Sequence, residues 1–279
     1  MSRLVVTNGG QAHRDDLLAV ALAISCGGLP PVARRDPSPE ELEDPDVLVL
    51  DVGGRHEPAK GNFDHHQFGR DAEATCAFAL YIAARTALDF SAHRWFLPTL
   101  VLDSKGPFAL AKLLGCGPAA VFALRSPVED ALLSLFGSRT RIDSGEPLYR
   151  VLLDMGLVLR DEAARLADLI GALEAGLRVW MLDGVEILFV DLPLAGAAGR
   201  AMCDLRDGRY PSAGIQISRD DRGSGWACLR YGDHPRVDLS CLAGDPAVLF
   251  AHPGGFKACT RERIPHGQLL DLLRGAIVP

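Results

Sequence analysis

Val47-Leu48-Val49-Leu50-Asp51-Val52-Gly53-Gly54 is the stretch from which the rest of the chain can be read. Four consecutive apolar residues without polar alternation read as a short strand buried on both faces. The run stops on a carboxylate and two glycines, the composition of a tight turn. Upstream, Arg3 to Thr7 is a second apolar run, and it ends in Asn8-Gly9-Gly10. Between the two lies Leu17 to Ala23, a strongly apolar helix closed by Cys26-Gly27-Gly28. Asp15 and Asp16 precede it and suit the positive end of its dipole. Buried strands separated by a helix predict a parallel sheet covered on both faces, and so an α/β fold.

Downstream, a helix is expected over about 74–88. The apolar segment 95–102 reads like the earlier strands and leads into Asp103-Ser104-Lys105-Gly106. Helical patterns then fill 108–138 and 147–180, the second ending near Trp180. After Gly184 the texture changes to strand candidates at 185–190, 212–218, 226–231 and 247–251, with helices over 196–205 and 268–277. A chain of 279 residues exceeds a typical single core. The reading is therefore a parallel-sheet domain over 1–150, a helical connector over 151–181 and a smaller α/β accessory domain over 182–279.

Composition narrows the function. No apolar stretch reaches the roughly 20 residues that span a bilayer. The first residues run straight into a strand and lack the apolar core and cleavage site of a secretory signal, so a cytoplasmic protein is expected. Seven scattered cysteines (26, 76, 116, 203, 228, 241 and 259) never form C-x-x-C. They fit neither a disulfide framework nor a zinc ribbon and are expected to be free and mostly buried. The net charge of −7 and the absence of a basic run argue against grip on long duplex nucleic acid.

Four clusters carry the chemistry: Asn8 with His13-Arg14-Asp15-Asp16, then Asp51, then Asp64-His65-His66, then Asp103. Each is read as lying at or just beyond the end of an apolar strand, where open parallel sheets bind their ligands. Taken singly, Asp15 and Asp16 also suit a helix cap, and Asp51 and Asp103 a turn. The Asp-His-His triplet is harder to explain structurally, since chance would produce it in roughly one chain in fifty. Carboxylates with a few imidazoles and no thiolate suit Mn²⁺ or Mg²⁺. Asp51 is the candidate to bridge two ions.

In this order the clusters resemble the DHH phosphoesterase superfamily, and within it the Myg (melanocyte proliferating gene) branch, which includes a 3′–5′ RNA exonuclease. That branch reads T-H-N-G-x-F-H-x-D-[DE], where this chain has Thr7-Asn8-Gly9-Gly10-Gln11-Ala12-His13-Arg14-Asp15-Asp16. Asp51 to Gly54, Asp64 to Gln67 and Phe250-Ala251-His252-Pro253-Gly254-Gly255-Phe256 match its later motifs. The resemblance implies a DHH-type domain and an accessory domain with the active-site cleft between them. It also implies that His13 and Asp51 hold one metal and that Asp15, Asp51, His65 and Asp103 hold the other. His66 would meet the substrate phosphate, Asp64 would orient the histidines, and His252, Gly254 and Gly255 would bind substrate. Asn8 departs from the branch, which has a metal-binding histidine there, and weakens one site. Ala12 replaces an aromatic and opens the pocket wall. Lys105 reads as solvated, with a phosphate contact as the alternative.

The expectation is thus a phosphodiesterase or 3′–5′ exonuclease using two Mn²⁺ (or Mg²⁺) ions. Its partner would be a short oligonucleotide or phosphorylated small molecule; a homodimer is compatible with the sequence, and no membrane is involved. The alternatives are a phosphoanhydride or phosphomonoester hydrolase and a non-catalytic binding protein with an incomplete metal site.

Overall fold

The computed structural model describes residues 3–123, 126–194 and 196–278. It is an α/β protein built on two six-stranded sheets, and the chain divides into two compact units between Ala164 and Arg165.

The first unit opens β1 (Leu4–Thr7), α1 (Arg14–Ser25), β2 (Val32–Arg34), α2 (Pro39–Glu43), β3 (Val47–Leu50), β4 (His56–Glu57) and β5 (Asn62–Phe63). It continues through α3 (Ala77–Arg85), α4 (Phe96–Leu113), α5 (Pro118–Ala123), α6 (Pro127–Gly137) and β6 (Arg141–Ile142) into the long α7 (Pro147–Gly176). The sheet order is β4-β5-β3-β1-β2-β6, with parallel pairing among β5, β3, β1 and β2 and antiparallel strands at both edges. Thr7 pairs with Leu50 and Leu50 with Phe63, so β1, β3 and β5 finish in line. That register sets Asn8, Asp51 and Asp64 along one edge, beyond the carboxyl ends of the strands.

Alternation along β3 separates two faces. Leu48 and Leu50 join the large core with α1, α3 and the start of α7, while Val47 and Val49 pack with Val6 and with Leu42 of α2. This two-sided burial is why the strand reads as unbroken apolar sequence. Helix α7 approaches α1 closely through Gly156, where a Cβ would collide with the Ala21 carbonyl oxygen. Arg160 donates from Nη1 to the Ser25 carbonyl at the end of α1.

The second unit takes the remainder of α7 and then β7 (Arg178–Leu182), β8 (Val185–Pro193), α8 (Ala197–Arg209), β9 (Ala213–Arg219), β10 (Trp226–Arg230), β11 (Val248–Ala251), β12 (Lys257–Thr260) and α9 (His266–Arg274). Its sheet order is β11-β12-β10-β9-β8-β7, parallel only between β8 and β9. One face packs Ile187, Ile215 and Trp226 on Leu269 and Leu273 of α9, and the other packs Leu188 and Val190 on Leu166 and Leu173 of α7 and Met202 of α8.

Several expectations need correction. Segment 95–102 is not a strand but the first half of α4, whose hydroxyls bond back to the preceding turn (Thr99 Oγ1 to the Trp95 carbonyl, Ser104 Oγ to the Leu100 carbonyl). Helix α4 then kinks at Gly106-Pro107, where Gly106 has φ 80°. The helical patterns over 108–138 are the end of α4 followed by α5 and α6; residues 124–125 within them lie outside the described residues. Trp180 sits in β7, not at a helix end. All seven cysteines are free, but only Cys76, Cys228 and Cys259 are buried. No helix among the described residues is long and apolar enough to cross a membrane.

Candidate metal centre

The end of β3 turns sharply. Asp51 has φ 59°, a left-handed conformation that costs a non-glycine residue about 1–3 kcal/mol, and Gly53 and Gly54 follow it at φ 94° and 68°. The turn is tied to the DHH loop from both sides. The Asp51 N–H donates to the Phe63 carbonyl (3.1 Å), the Asp64 N–H to the Arg55 carbonyl (2.9 Å), and the Gly54 N–H to Asp64 Oδ2 (2.7 Å). These bonds hold the Asp51 carboxylate, 2% exposed, beside His65 and His66.

Asp15 arrives from the first turn of α1. Its two oxygens accept the N–H groups of Ala77 (2.9 Å) and Phe78 (2.8 Å), so it also caps α3. Asp103 arrives from α4, a full turn short of the kink. Asp15, Asp51, His65 and Asp103 each offer a ligand atom, and these atoms all lie within 4.8 Å of one another. Asp51, His65 and His66 form a second such set, so Asp51 and His65 belong to both. His13 is in neither set; its half-exposed ring places Nδ1 4.0 Å from Asp103 Oδ1.

The chemistry of these atoms fits a cation. His65 Nε2 lies 2.8 Å from Asp103 Oδ2 and 3.2 Å from Asp51 Oδ1. Even so, Nε2 and Asp51 Oδ1 are both buried without a hydrogen bond that satisfies them. Buried polar atoms are normally satisfied, and two orphans aimed at each other's neighbourhood share one missing partner. Protons partly stand in for it. Burial alone would lower the His65 pKa, but the carboxylates of Asp103 and Asp51 outweigh it and push it up to about 10. Burial, then repulsion from Asp103 and Asp51, pushes Asp15 up to about 7. The repulsion is large: two like charges 4 Å apart cost about 4 kcal/mol at an effective dielectric of 20. A divalent cation would neutralise the same charge without the protons.

His66 stands at the exposed lip. Asp64 Oδ1 accepts its backbone N–H (3.0 Å) and lies 2.7 Å from Nδ1. Burial alone would raise the Asp64 pKa, but the N–H groups of His66 and Gly54 and the His66 ring hold it below the usual carboxylate range. An ionised Asp64 therefore takes the Nδ1–H of His66 and leaves Nε2 for other work. Asn8 is engaged within its own loop: its Oδ1 accepts the Gly10 N–H at 2.8 Å. Lys105 lies at the surface, where Nζ donates to the Arg70 and Ala72 carbonyls at 2.7 and 2.6 Å.

Two supports were not signalled in the sequence. The Cys76 thiol hydrogen-bonds to Asp15, and burial raises its pKa, so it serves as a neutral donor. Arg34, 2% exposed, donates to the carbonyls of Gly137 (2.9 Å) and Gly10 (3.0 Å), covers the Phe136 ring and lies 3.6 Å from the buried Asp16. Asp16 Oδ1 accepts the N–H groups of His13 and Leu17, each at 2.8 Å, which anchors the start of α1. A lone arginine in a short strand carries no pattern by which a sequence could announce this.

In the second unit, His252 follows β11. The Gly254 N–H donates to His252 Nδ1 at 2.9 Å, which leaves the neutral ring its proton on Nε2. Gly255 has φ 67°, and a Cβ there would strike the Asp238 carboxylate. His252 packs against Phe256 with ring centroids 4.0 Å apart.

Comparison with known proteins agrees with the first unit. The family MYG1_exonuc, described as Uncharacterised protein family (UPF0160), matches residues 4–79, which hold every cluster above except Asp103 and the second-unit motif. No curated protein sequence matches the chain. Among solved structures, the chain is similar to the DHH domain of a member of the s1p family of ribosomal proteins (13% identity, 98% of this chain and 86% of that one, TM-score 0.35). It is also similar to a pGpG-specific phosphodiesterase from Vibrio cholerae (12% identity, 98% and 99%, TM-score 0.32). Over residues 4–79, then, the chain is similar to the family MYG1_exonuc.

Proposed function

We propose that the protein is a divalent-metal-dependent phosphoesterase, acting as a phosphodiesterase or 3′–5′ exonuclease on short oligonucleotides or nucleotide-like substrates. The observation that carries this reading is the convergence of Asp15, Asp51, His65 and Asp103 with two buried, unsatisfied donor atoms among them. Oxygen-rich donors with one or two imidazoles suit Mn²⁺. When bound, such ions supply an activated water and neutralise a phosphoryl group.

The residues divide the remaining work. Asp51, whose carboxylate lies among Asp15, His65 and Asp103, would be the ligand common to both ions. His66, held at Nδ1 by the ionised Asp64, presents Nε2 to a phosphoryl oxygen and stabilises the charge that develops there. His252, with its proton on Nε2, contributes substrate binding, and Gly254 and Gly255, whose N–H groups bond to His252 Nδ1 and to the His252 carbonyl, shape the loop that presents it. Because Asn8 is a neutral ligand type already engaged by Gly10, one metal position is weaker than the other.

The test is hydrolysis of bis(4-nitrophenyl) phosphate with Mn²⁺, Mg²⁺ or Co²⁺, followed by a comparison of short 5′-labelled RNA and DNA with pyrophosphate and a nucleotide panel. Turnover that is abolished by chelator and restored by Mn²⁺ supports the reading. Metal binding without turnover of any substrate would instead identify a binding protein.

A further inference from the structure

Asp103 reaches the donor set from the weak end of a helical arm. Helix α4 runs regularly from Phe96 only as far as Lys105, and Gly106 leaves helical geometry at φ 80°, ψ 176°. Pro107 has no N–H to offer the Asp103 carbonyl four residues before it. The last turn of an arm that ends in this way frays readily. Yet Asp103 has to stay close to other carboxylates: its ligand atom and those of Asp15 and Asp51 lie within 4.8 Å of one another. Like charges at such distances push the turn outward.

Lys105 lies in that same turn, and its ammonium group reaches away from its own helix. Nζ donates to the carbonyls of Arg70 (2.7 Å) and Ala72 (2.6 Å). Both carbonyls belong to the loop between His66 and Cys76, and both ends of this loop are fixed on the cluster. At its start, Gln67 Nε2 donates to the Asp64 carbonyl at 2.7 Å and the Phe68 N–H to the His65 carbonyl at 3.0 Å. At its end, the Cys76 thiol and the N–H groups of Ala77 and Phe78 bond to Asp15. The two Lys105 bonds therefore close a ring, tying the turn that carries Asp103 to a loop anchored at His65 and at Asp15. A long side chain gives up rotamer freedom to be held like this, and charge-assisted hydrogen bonds are the kind that offset it.

We infer that Lys105 is a positioning residue of the metal centre: by latching the last turn of this arm to the loop joining His66 to Cys76, it keeps Asp103 within reach of the other donors. The inference rests on the metal-centre reading of the cluster.

Charge and latch predict opposite signs. A cation beside a metal site repels the metal, so a Lys105 acting through its charge alone would make Lys105→Met bind Mn²⁺ more tightly. If Lys105 is a latch, the same variant holds Asp103 in place for a smaller share of the time, and the apparent Kd rises in inverse proportion. Calorimetric titration is expected to give Mn²⁺ binding about tenfold weaker in Lys105→Met, recovering to within about threefold in Lys105→Arg, which restores a charged donor. In the metal-free protein, the backbone amides of residues 102–105 should exchange with solvent about tenfold faster in Lys105→Met, with the urea midpoint unchanged. Equal or tighter Mn²⁺ binding in Lys105→Met overturns the inference, and so does unchanged exchange at 102–105. Weaker binding accompanied by a lower urea midpoint would make Lys105 a general stabiliser and overturn it as well. An unaltered protein that binds no Mn²⁺ removes the metal-centre reading, and the exchange comparison then decides the latch alone.

Discussion

Loading the cluster with Mn²⁺ should expel protons, and the number follows from the structure. At pH 7 a His65 that titrates at about 10 carries essentially a full proton, and an Asp15 at about 7 carries half of one. Both must leave before the imidazole nitrogen and the carboxylate can act as ligands, so about one to two protons are released per protein. Titration with Mn²⁺ in buffers of different ionisation enthalpy counts them directly. Affinity should also climb about tenfold per pH unit between pH 7.5 and 8.5, because the His65 proton is still bound over that range. The metal-free protein should respond in the opposite sense. Both folded-state values lie above the ordinary 6.5 and 3.8, so the stability these protons lend is present at low pH. It is lost over the interval from about pH 4 to 10, between 3.8 and about 7 for Asp15 and between 6.5 and about 10 for His65. The melting temperature of the metal-free protein therefore falls over that interval, and Mn²⁺ removes the fall. Release of no protons, with an affinity flat in pH, would refute the reasoning, because it would mean that Mn²⁺ binds elsewhere.

Three further outcomes are expected. His66→Ala should lower kcat by about a hundredfold or more, as for other lost stabilisers of phosphoryl or oxyanion charge, with metal content by mass spectrometry unchanged; loss of metal along with activity would make His66 a ligand. Arg34→Met should destabilise the protein by about 1–3 kcal/mol in urea unfolding, because it removes the donors to the Gly10 and Gly137 carbonyls; an unchanged midpoint would mean that these bonds contribute nothing. Asn8→His should tighten Mn²⁺ binding by supplying an imidazole where an amide stands, and an unchanged dissociation constant would show that this position does not face a metal.

How much of this was legible depends on whether a residue's role is local. Asp51 could be placed because a four-residue apolar run stops on it, and strand ends in a parallel sheet share an edge. Asp64, His65 and His66 followed because β5 pairs beside β3 with its end in register. Asp103 was assigned to the right cluster on the wrong element. Leu97 to Leu102 is equally apolar as strand or helix, and only the core against which it packs selects the helix. Lys105 shows the same limit: its partners are the carbonyls of Arg70 and Ala72, thirty-five and thirty-three residues away, and no local pattern encodes them. Arg34 and Cys76 support the cluster from behind, where a single buried side chain leaves no periodic trace. The Asp15 carboxylate was open to two readings, cap and ligand, and the structure places it where both apply: it caps α3 while lying within the donor set.

The most direct measurement is anomalous diffraction from crystals grown with Mn²⁺. A manganese peak within coordinating distance of Asp15, Asp51, His65 and Asp103, on the side where Asp51 Oδ1 and His65 Nε2 lack partners, is the predicted result. Manganese bound elsewhere, with those four side chains closed on one another by protons alone, would contradict it.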